Sequence, residues 1–301
     1  MDADAKDIAR EALELLERSV KACCSDKKAG LIFSAGIDST LVGFLASRNC
    51  KVTAYTTGIA GSHDLDYAGK AESELPFTLR KIEVSEEEIE RDLPKLVSIT
   101  KSASPLDISV AIPFYYASRQ AGRDKQKTVL CGQGADELFG GYNRYIELIS
   151  KGTYEQLEEL MEKDLKELPK SNLARDRAIC KANGVTLEIP FLGSGFSEYA
   201  RKIPIQLKVK EITEFEKPEY DCVDEINGMR FIRKYILRKM AEQAGLPNAI
   251  IQREKKAAQY GSGSQKTLEK LARKTGFKQK AAAAGRKDYT QMYLESMREK
   301  R

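Results

Sequence analysis

The sequence predicts an α/β fold, in which a doubly wound parallel sheet is followed by a mostly α-helical C-terminal half. Two observations support this prediction. Short apolar runs alternate with segments of helical periodicity as far as residue 131, and helical periodicity dominates after residue 141. Strands that alternate with helices are typical of parallel βαβ construction, in which helices cover both faces of the sheet.

The first half begins with residues 5–20, whose apolar side chains recur at helical spacing. We expect this segment to form a leading amphipathic helix that packs on the rest of the chain. Strands are then expected at residues 30–33, 51–57, 78–84 and 128–131. Helices are expected at residues 38–48, 65–74, 86–100 and 108–121.

The second half shows no strand pattern after Gly141, so only helices are expected there. They are predicted at residues 154–168, 173–183, 195–202, 228–244 and 264–275. Neither a low-complexity linker nor an internal repeat divides the chain. We therefore expect a leading helix in residues 1–23 and one continuous domain in residues 24–301. Its α/β part is expected at residues 24–145 and its helical part at residues 146–301.

Composition is that of a globular protein. Hydrophobic residues make up 42% and charged residues 32% of the chain. No apolar run approaches the roughly 20 residues that cross a bilayer, and residues 1–10 are too charged for a signal peptide. We therefore predict a cytoplasmic protein with no membrane segment.

Cysteine and histidine content excludes the usual zinc frameworks. The six cysteines include no CxxC pair, and His63 is the one histidine. We expect free thiols that serve as small buried apolar groups. The net charge of +5 is too small to argue for nucleic acid, although residues 266–301 carry a basic excess. That excess either faces a polyanion or forms a solvated helical face.

The first turn with the character of a ligand site follows the strand expected at residues 30–33. Residues 31–40 read Leu-Ile-Phe-Ser-Ala-Gly-Ile-Asp-Ser-Thr, an apolar strand that runs into small residues and then a helix. Small residues let backbone N–H groups approach an anion, and a helix N-terminus adds about half a positive charge. A carboxylate such as Asp38 is favourable beside phosphates only with a bound Mg²⁺. The turn predicts a phosphate site without a Walker pattern, and a plain helix N-cap at Ser34 or Asp38 is the simpler alternative.

The second such turn follows the strand expected at residues 128–131. Residues 131–142 read Cys-Gly-Gln-Gly-Ala-Asp-Glu-Leu-Phe-Gly-Gly-Tyr, with four glycines around an acidic pair. Such a run makes poor core and poor helix. If the sheet places this strand beside the first, Asp136 faces Asp38, and the two carboxylates can hold Mg²⁺ on the phosphates of ATP.

Both turns resemble motifs of one family. Residues 34–39 resemble the SGGxDS pyrophosphate loop of the PP-loop ATP pyrophosphatases, and residues 131–142 resemble the SGEGSDE-x-x-GGY segment of the asparagine synthetases. Further matches follow in order: residues 58–65 with G-x-x-G-S-x-D-L, Arg175-Asp176-Arg177 with a D-R segment, residues 187–192 with R-V-P-F-L-D, and residues 253–263 with a late R-x-K loop. Over residues 24–275 the chain thus resembles the synthetase domain of the asparagine synthetase family.

The resemblance implies an adenine nucleotide α-hydrolase-like fold and a two-step reaction. A carboxylate, aspartate or a related acid, attacks the α-phosphorus of ATP and pyrophosphate leaves. Ammonia or an amine then opens the acyl-adenylate. Because Met1 is followed by Asp2 rather than by the cysteine of the family's glutaminases, we expect no glutaminase domain. The ammonia is expected to be free or to come from a separate glutaminase subunit.

The resemblance also implies roles for individual residues. Gln133, Asp136 and Lys255 are the expected catalytic residues, and Asp38 and Asp136 the expected Mg²⁺ ligands. Lys255 is expected to neutralise charge on the departing pyrophosphate. The residues expected to contact ATP or pyrophosphate are Phe33, Ser34, Gly36, Asp38, Ser39, Thr57, Cys131 and Gly132.

Two residues depart from the family pattern. Ala35 replaces a glycine, which matters only if the backbone there needs a positive φ. Gln133 replaces the glutamate of the synthetases, and an amide can donate and accept hydrogen bonds but takes up no proton. We expect Gln133 to orient a neutral amine, and the substrate need not be aspartate.

Two other functions stay open. Some PP-loop enzymes adenylate an RNA base in tRNA, but the thiolating versions need cysteine pairs that this chain lacks. A nucleotide-binding regulatory subunit with a decayed site is the third hypothesis. The presence of Asp38, Asp136 and Lys255 together argues against decay, because nothing structural requires all three.

Overall fold

The computed structural model describes residues 2–24, 26–254 and 258–298. Its main sheet contains β1 (Lys28–Ile32), β2 (Lys51–Gly58), β3 (Thr78–Glu83), β4 (Thr128–Leu130) and β5 (Thr186–Glu188). All neighbouring strands are parallel, in the order β3-β2-β1-β4-β5. The chain runs from β1 to one edge and then returns to the other side of β1. The predicted doubly wound parallel sheet is confirmed.

Helices precede, connect and follow these strands. In the first half they are α1 (Asp2–Cys23), α2 (Ile37–Ser47), α3 (His63–Ala71), α4 (Glu86–Thr100), α5 (Pro105–Arg123), α6 (Ala135–Phe139) and α7 (Asn143–Ile149). In the second half they are α8 (Tyr154–Glu167), α9 (Asn172–Ala182), α10 (Phe196–Lys202), α11 (Ile205–Lys208), α12 (Tyr235–Ala244), α13 (Asn248–Ile251), α14 (Ala258–Gly261), α15 (Ser264–Lys274), α16 (Phe277–Ala283) and α17 (Tyr289–Glu295). Short 3-10 helices lie at Glu72–Glu74, Leu168–Lys170 and Pro190–Leu192.

Hydrophobic side chains cover both faces of the main sheet. One core joins β1 to α1, α2 and α12 and includes the buried Leu16, Leu41 and Ile236. The other joins β2 and β4 to α4, α5, α9 and α15 and includes Ile108 and Ile179. The predicted leading helix α1 therefore packs on the sheet layer through its apolar face, as its periodicity indicates.

The second half contains strands that the sequence analysis did not predict. β5 joins the main sheet beside β4, and β6 (Val209–Ile212), β7 (Asp224–Ile226) and β8 (Met229–Arg233) form an antiparallel sheet in the order β6-β8-β7. The expectation of no strand after Gly141 is wrong. The single helix expected at residues 228–244 is also wrong, since its first part is β8.

A physical reason for the second error lies in β8 itself. Phe231 and Ile232 are both buried, so the strand lacks the alternation of apolar and polar residues that identifies a half-buried strand. The division of the chain at residue 145 stays a prediction, but β5 shows that the main sheet draws on both sides of it.

Two further expectations concern the described residues. All six cysteines are free, and Cys131, Cys180 and Cys222 are buried as expected, whereas Cys23, Cys24 and Cys50 are only partly buried. None of the helices described here is both long and apolar enough to cross a membrane.

Candidate active site

A cavity of about 480 Å³ opens at the carboxyl ends of β1 and β4. Because β4 lies directly beside β1, the two glycine-rich turns meet at the point where the strand order reverses. Ligands of open α/β sheets bind at such switch points. The sheet therefore places both predicted turns at one site.

The first loop joins β1 to α2 and is organised by its own hydroxyl groups. Ser39 Oγ accepts from the Ser34 N–H at 3.4 Å and donates to the Gly36 carbonyl at 3.3 Å. Thr40 Oγ1 donates to the same carbonyl at 2.8 Å. Gly36 is the N-cap residue and has no side chain to cap with, so the alternative of a plain N-cap at Ser34 or Asp38 does not hold.

Ala35 has a backbone φ of +53° and a fully buried side chain. A residue with a Cβ in this left-handed region costs roughly 1 kcal/mol relative to glycine. The departure from the family's glycine is therefore not neutral, since the loop imposes the conformation that glycine adopts freely.

The two loops touch through Gly132. A Cβ at this position would lie 2.8 Å from Asp38 Cβ and 2.9 Å from the Ser39 backbone nitrogen. Only glycine allows the second loop to approach the first this closely. This contact brings the Asp136 and Asp38 side chains to a common neighbour.

That neighbour is Lys234, which the sequence analysis did not identify. Its Nζ lies 2.6 and 2.7 Å from the two Asp38 carboxylate oxygens and 2.5 Å from Asp136 Oδ1. Lys234 is 1% exposed and precedes α12. In the sequence it follows Arg233 in a basic stretch, where nothing distinguishes it from a surface residue.

Asp38 and Asp136 also suit a hard divalent cation. Mg²⁺ prefers oxygen ligands and is held by one or two carboxylates together with substrate phosphates. Asp38 and Asp136 lie on separate loops and are close enough to contact the same Lys234 ammonium, so together they form such a donor set. The chemistry of the predicted ligand pair therefore fits Mg²⁺.

Gln133 donates its side-chain amide to Asp176 Oδ2 at 2.7 Å. Asp176 has no exposed area and is also bound by Arg175, whose Nε donates to Oδ1 at 2.8 Å. Burial raises the pKa of Asp176, although Arg175 and Gln133 act in the opposite direction. The amide NH₂ of Gln133 thus faces Asp176, and its carbonyl oxygen faces elsewhere.

Four further side chains shape the cavity wall beyond the loops. Tyr142 donates to Glu137 Oε1 at 2.6 Å, while Glu137 Oε2 is buried and has no hydrogen-bond partner among the described residues. Burial, and next the nearby Asp136, raise the pKa of Glu137. Arg144 lies 4.5 Å from the Tyr142 ring centre and bonds Asp164 at 2.7 Å. The wall thus carries the carboxylates of Glu137 and Asp164 together with the guanidinium of Arg144, which is paired with Asp164.

The residues predicted to contact ATP fall on this cavity, with one exception. Gly36 caps α2 but does not line the cavity. Thr57 donates to the Pro113 carbonyl at 3.0 Å, and burial raises the pKa of the Cys131 thiol well above its ordinary value. Cys131 is therefore a wall residue and not a thiolate nucleophile. The predicted residues that line the cavity are Phe33, Ser34, Asp38, Ser39, Thr57, Cys131, Gly132, Gln133 and Asp136.

Lys255 lies outside the described residues. The chain before it is anchored by Arg253, which donates to the Ser34 carbonyl at 2.7 Å and contacts Asp64 at 3.2 Å. The guanidinium also lies 4.1 Å from the Tyr67 ring centre. Beyond the gap, Gln259 lines the cavity. The role of Lys255 stays a prediction.

Comparison with known proteins identifies one family. The family model described as asparagine synthase matches residues 11–156 and 147–299. A Methanocaldococcus jannaschii protein named as a glutamine-hydrolyzing asparagine synthetase is 41% identical over 288 residues, which cover 90% of this chain and 53% of that protein. The glutamine-hydrolyzing asparagine synthetase of Zea mays is 28% identical over 273 residues, covering 83% of this chain and 42% of that protein. The chain thus spans about half the length of the curated relatives it matches.

Among solved structures, an NH3-dependent NAD synthetase from Campylobacter jejuni is 18% identical. The match covers 60% of this chain and 91% of that one, with a TM-score of 0.33. From its family-model match over almost its whole length, the chain belongs to the asparagine synthase family.

Proposed function

We propose that this chain is an AMP-forming carboxylate–amine ligase. The observation that carries the proposal is that two turns meet at the ends of β1 and β4. There Asp38 and Asp136 both contact the Lys234 ammonium, beside a cavity of about 480 Å³. Family membership supports ATP-dependent amide formation as the reaction class.

The first step joins the acid to AMP. A carboxylate oxygen of the substrate attacks the α-phosphorus of ATP, the new O–P bond forms, and the bond to the pyrophosphate oxygen breaks. Ser34, Asp38 and Ser39 line the cavity around the N-terminus of α2, which favours the phosphates. Asp38 and Asp136 would hold Mg²⁺, which would supply charge neutralisation on the phosphate oxygens. Lys255 neutralises the departing pyrophosphate.

The second step forms the amide. A neutral amine attacks the acyl carbon, the C–N bond forms, the bond between the acyl carbon and the AMP oxygen breaks, and the nitrogen loses a proton to water. The carbonyl oxygen of Gln133 can accept a hydrogen bond from this amine, because its NH₂ group is held by Asp176. Ammonia arrives free or from a separate glutaminase subunit.

The cavity wall favours an amino acid as the acid substrate. The carboxylates of Glu137 and Asp164 on the wall suit an ammonium group, and the Arg144 guanidinium, already paired with Asp164, can donate further hydrogen bonds to a second carboxylate. Aspartate or a related acid carries both groups.

The test is pyrophosphate release from ATP with a panel of acidic amino acids and ammonium, with and without tRNA. We expect AMP, pyrophosphate and an amide in equal amounts from one of the acids, without tRNA. Release that requires tRNA would instead support adenylation of an RNA base. ATP binding with no release under any condition would support the regulatory hypothesis.

A further inference from the structure

Lys234 does not line the cavity and contacts the carboxylate pair from the protein interior. Its ammonium contacts three of the carboxylate oxygens of Asp38 and Asp136 at 2.5 to 2.7 Å. With 1% of its surface exposed, this ammonium is neutralised by the protein rather than by solvent. Its charge therefore neutralises Asp38 and Asp136, the two side chains whose chemistry fits Mg²⁺.

The backbone is built to hold the lysine there. Lys234 has a φ of +57°, a left-handed conformation between β8 and α12 that a residue with a Cβ rarely adopts. Arg233 beside it donates to the Gly141 carbonyl at 2.9 Å and pairs with Asp224. A Cβ on Gly141 would lie 2.3 Å from Lys234 Cε and 1.9 Å from Asp136 Oδ1. Strained backbone at a site is typical of a functional constraint.

An ammonium and a divalent cation compete for the same carboxylate oxygens. Bare Mg²⁺ must displace Lys234 from at least part of its contacts, which leaves a buried ammonium without its partners. Mg²⁺ that arrives on ATP brings phosphate oxygens, and these can take over the ammonium. Mg²⁺ and ATP then bind with positive coupling. The phosphates replace the carboxylates as partners of Lys234, which lowers the cost of Mg²⁺ binding, and bound Mg²⁺ in turn favours the phosphates.

We propose that Lys234 is an internal counter-cation that makes Mg²⁺ binding at Asp38 and Asp136 depend on ATP. The proposal rests on the proposed function, in which these two carboxylates hold Mg²⁺. It makes Lys234 a positioning residue that keeps the carboxylates together before the nucleotide binds and joins the phosphates afterwards.

The test is Mn²⁺ binding without nucleotide, followed by the electron paramagnetic resonance signal of free Mn²⁺. The wild type should bind Mn²⁺ weakly. Lys234→Met should bind it about tenfold or more tightly, because the competing ammonium is gone. A structural defect alone does not raise metal affinity. Lys234→Arg keeps the charge and should remain weak, and adding Asp38→Asn to Lys234→Met should abolish the gain.

Lys234→Gln serves as a second uncharged variant if Lys234→Met does not fold. Folded, uncharged variants that bind Mn²⁺ no more tightly than the wild type would overturn the proposal. So would a wild type that binds Mn²⁺ as tightly without ATP as with it. The titration requires no turnover, so either result leaves wild-type pyrophosphate release, and with it the proposed function, to be judged separately.

Discussion

The side-chain amide of Gln133 lies 2.7 Å from Asp176 Oδ2, a carboxylate with no exposed surface. This contact orients the amide, because its NH₂ group faces Asp176 and its carbonyl oxygen faces away from it. It also means that the position where the synthetases carry glutamate is directly beside a second acidic side chain. A glutamate here would face a carboxylate and not a neutral group.

Replacing Gln133→Glu should therefore not supply a free base at neutral pH. Two carboxylates at this distance share a proton, and the pKa of the pair rises further. We expect amide formation by the variant to stay dependent on free ammonia, increasing with pH as in the wild type. The measurement is the rate of the second half-reaction from about pH 6.5 to 9, beside the adenylation rate as a reference that stays nearly flat.

The double variant Gln133→Glu with Asp176→Asn is the matched control. It restores the hydrogen bond with the carboxylate at position 133, so the pH dependence should flatten. Asp176→Asn alone should cost about 3 kcal/mol of stability, because Arg175 loses its buried partner. A flat profile in Gln133→Glu alone would contradict this account of the pair. Identical profiles in all variants would remove Gln133 from handling of the amine.

Asp38→Asn and Asp136→Asn should each abolish pyrophosphate release and leave the fold intact. Each removes one proposed Mg²⁺ ligand and no apolar packing, while the other carboxylate still pairs with Lys234. Pyrophosphate release and circular dichroism check the two parts. Asp66→Asn, an exposed acid on α3, should behave as the wild type. Normal turnover in either site variant would refute the metal assignment.

Lys255→Ala should slow adenylation by two or more decades while ATP still binds. The loss of one electrostatic contact to a transition state typically costs roughly 3 kcal/mol. Single-turnover kinetics measure the adenylation rate, and Lys256→Ala controls for the loss of a positive charge nearby in the sequence. An unchanged rate constant with only a higher KM would make Lys255 a uniform binder of ATP.

Lys208, which lies outside the active site, should make the free energy of unfolding depend on pH. Burial lowers its pKa to about 8 from the ordinary value of 10.5. Between these values the unfolded chain binds more protons than the folded one, so the Lys208 contribution to stability increases with pH. From about pH 7 to 10, the wild type should gain about 2 kcal/mol over Lys208→Met in urea unfolding. Lys202→Met, an exposed control, should show no such change, and a constant difference for Lys208→Met would contradict the shift.

The part of the site that could be predicted is the part encoded locally. Each glycine-rich turn directly follows an apolar run, and parallel strands bring such turns to one edge of the sheet. These signals predict that Asp38 and Asp136 face each other if the two strands are neighbours in the sheet. The strand order then confirmed that their loops are neighbours.

The remainder depends on contacts between distant segments. Lys234 contacts Asp38, which lies 196 positions away in the sequence. It follows β8, a strand that could not be recognised from the sequence because its adjacent buried residues do not alternate with polar ones. Asp176 meets Gln133 across 43 positions, and only a resemblance marked its segment. Neither pairing has a local pattern, because a charged residue at the end of an element looks the same whether it faces solvent or a buried partner.

Transfer of a carboxylate oxygen from the acid to AMP would show that the acid is activated as its AMP ester. The wild type is incubated with ATP, ammonium and the acid that supports pyrophosphate release, with ¹⁸O in its carboxyl groups. Mass spectrometry then locates the label. The account predicts that AMP gains one ¹⁸O atom, because the carboxylate oxygen that attacks the α-phosphorus stays with it when the amine displaces AMP. Label in inorganic phosphate with ADP as the product, or unlabelled AMP, would contradict it.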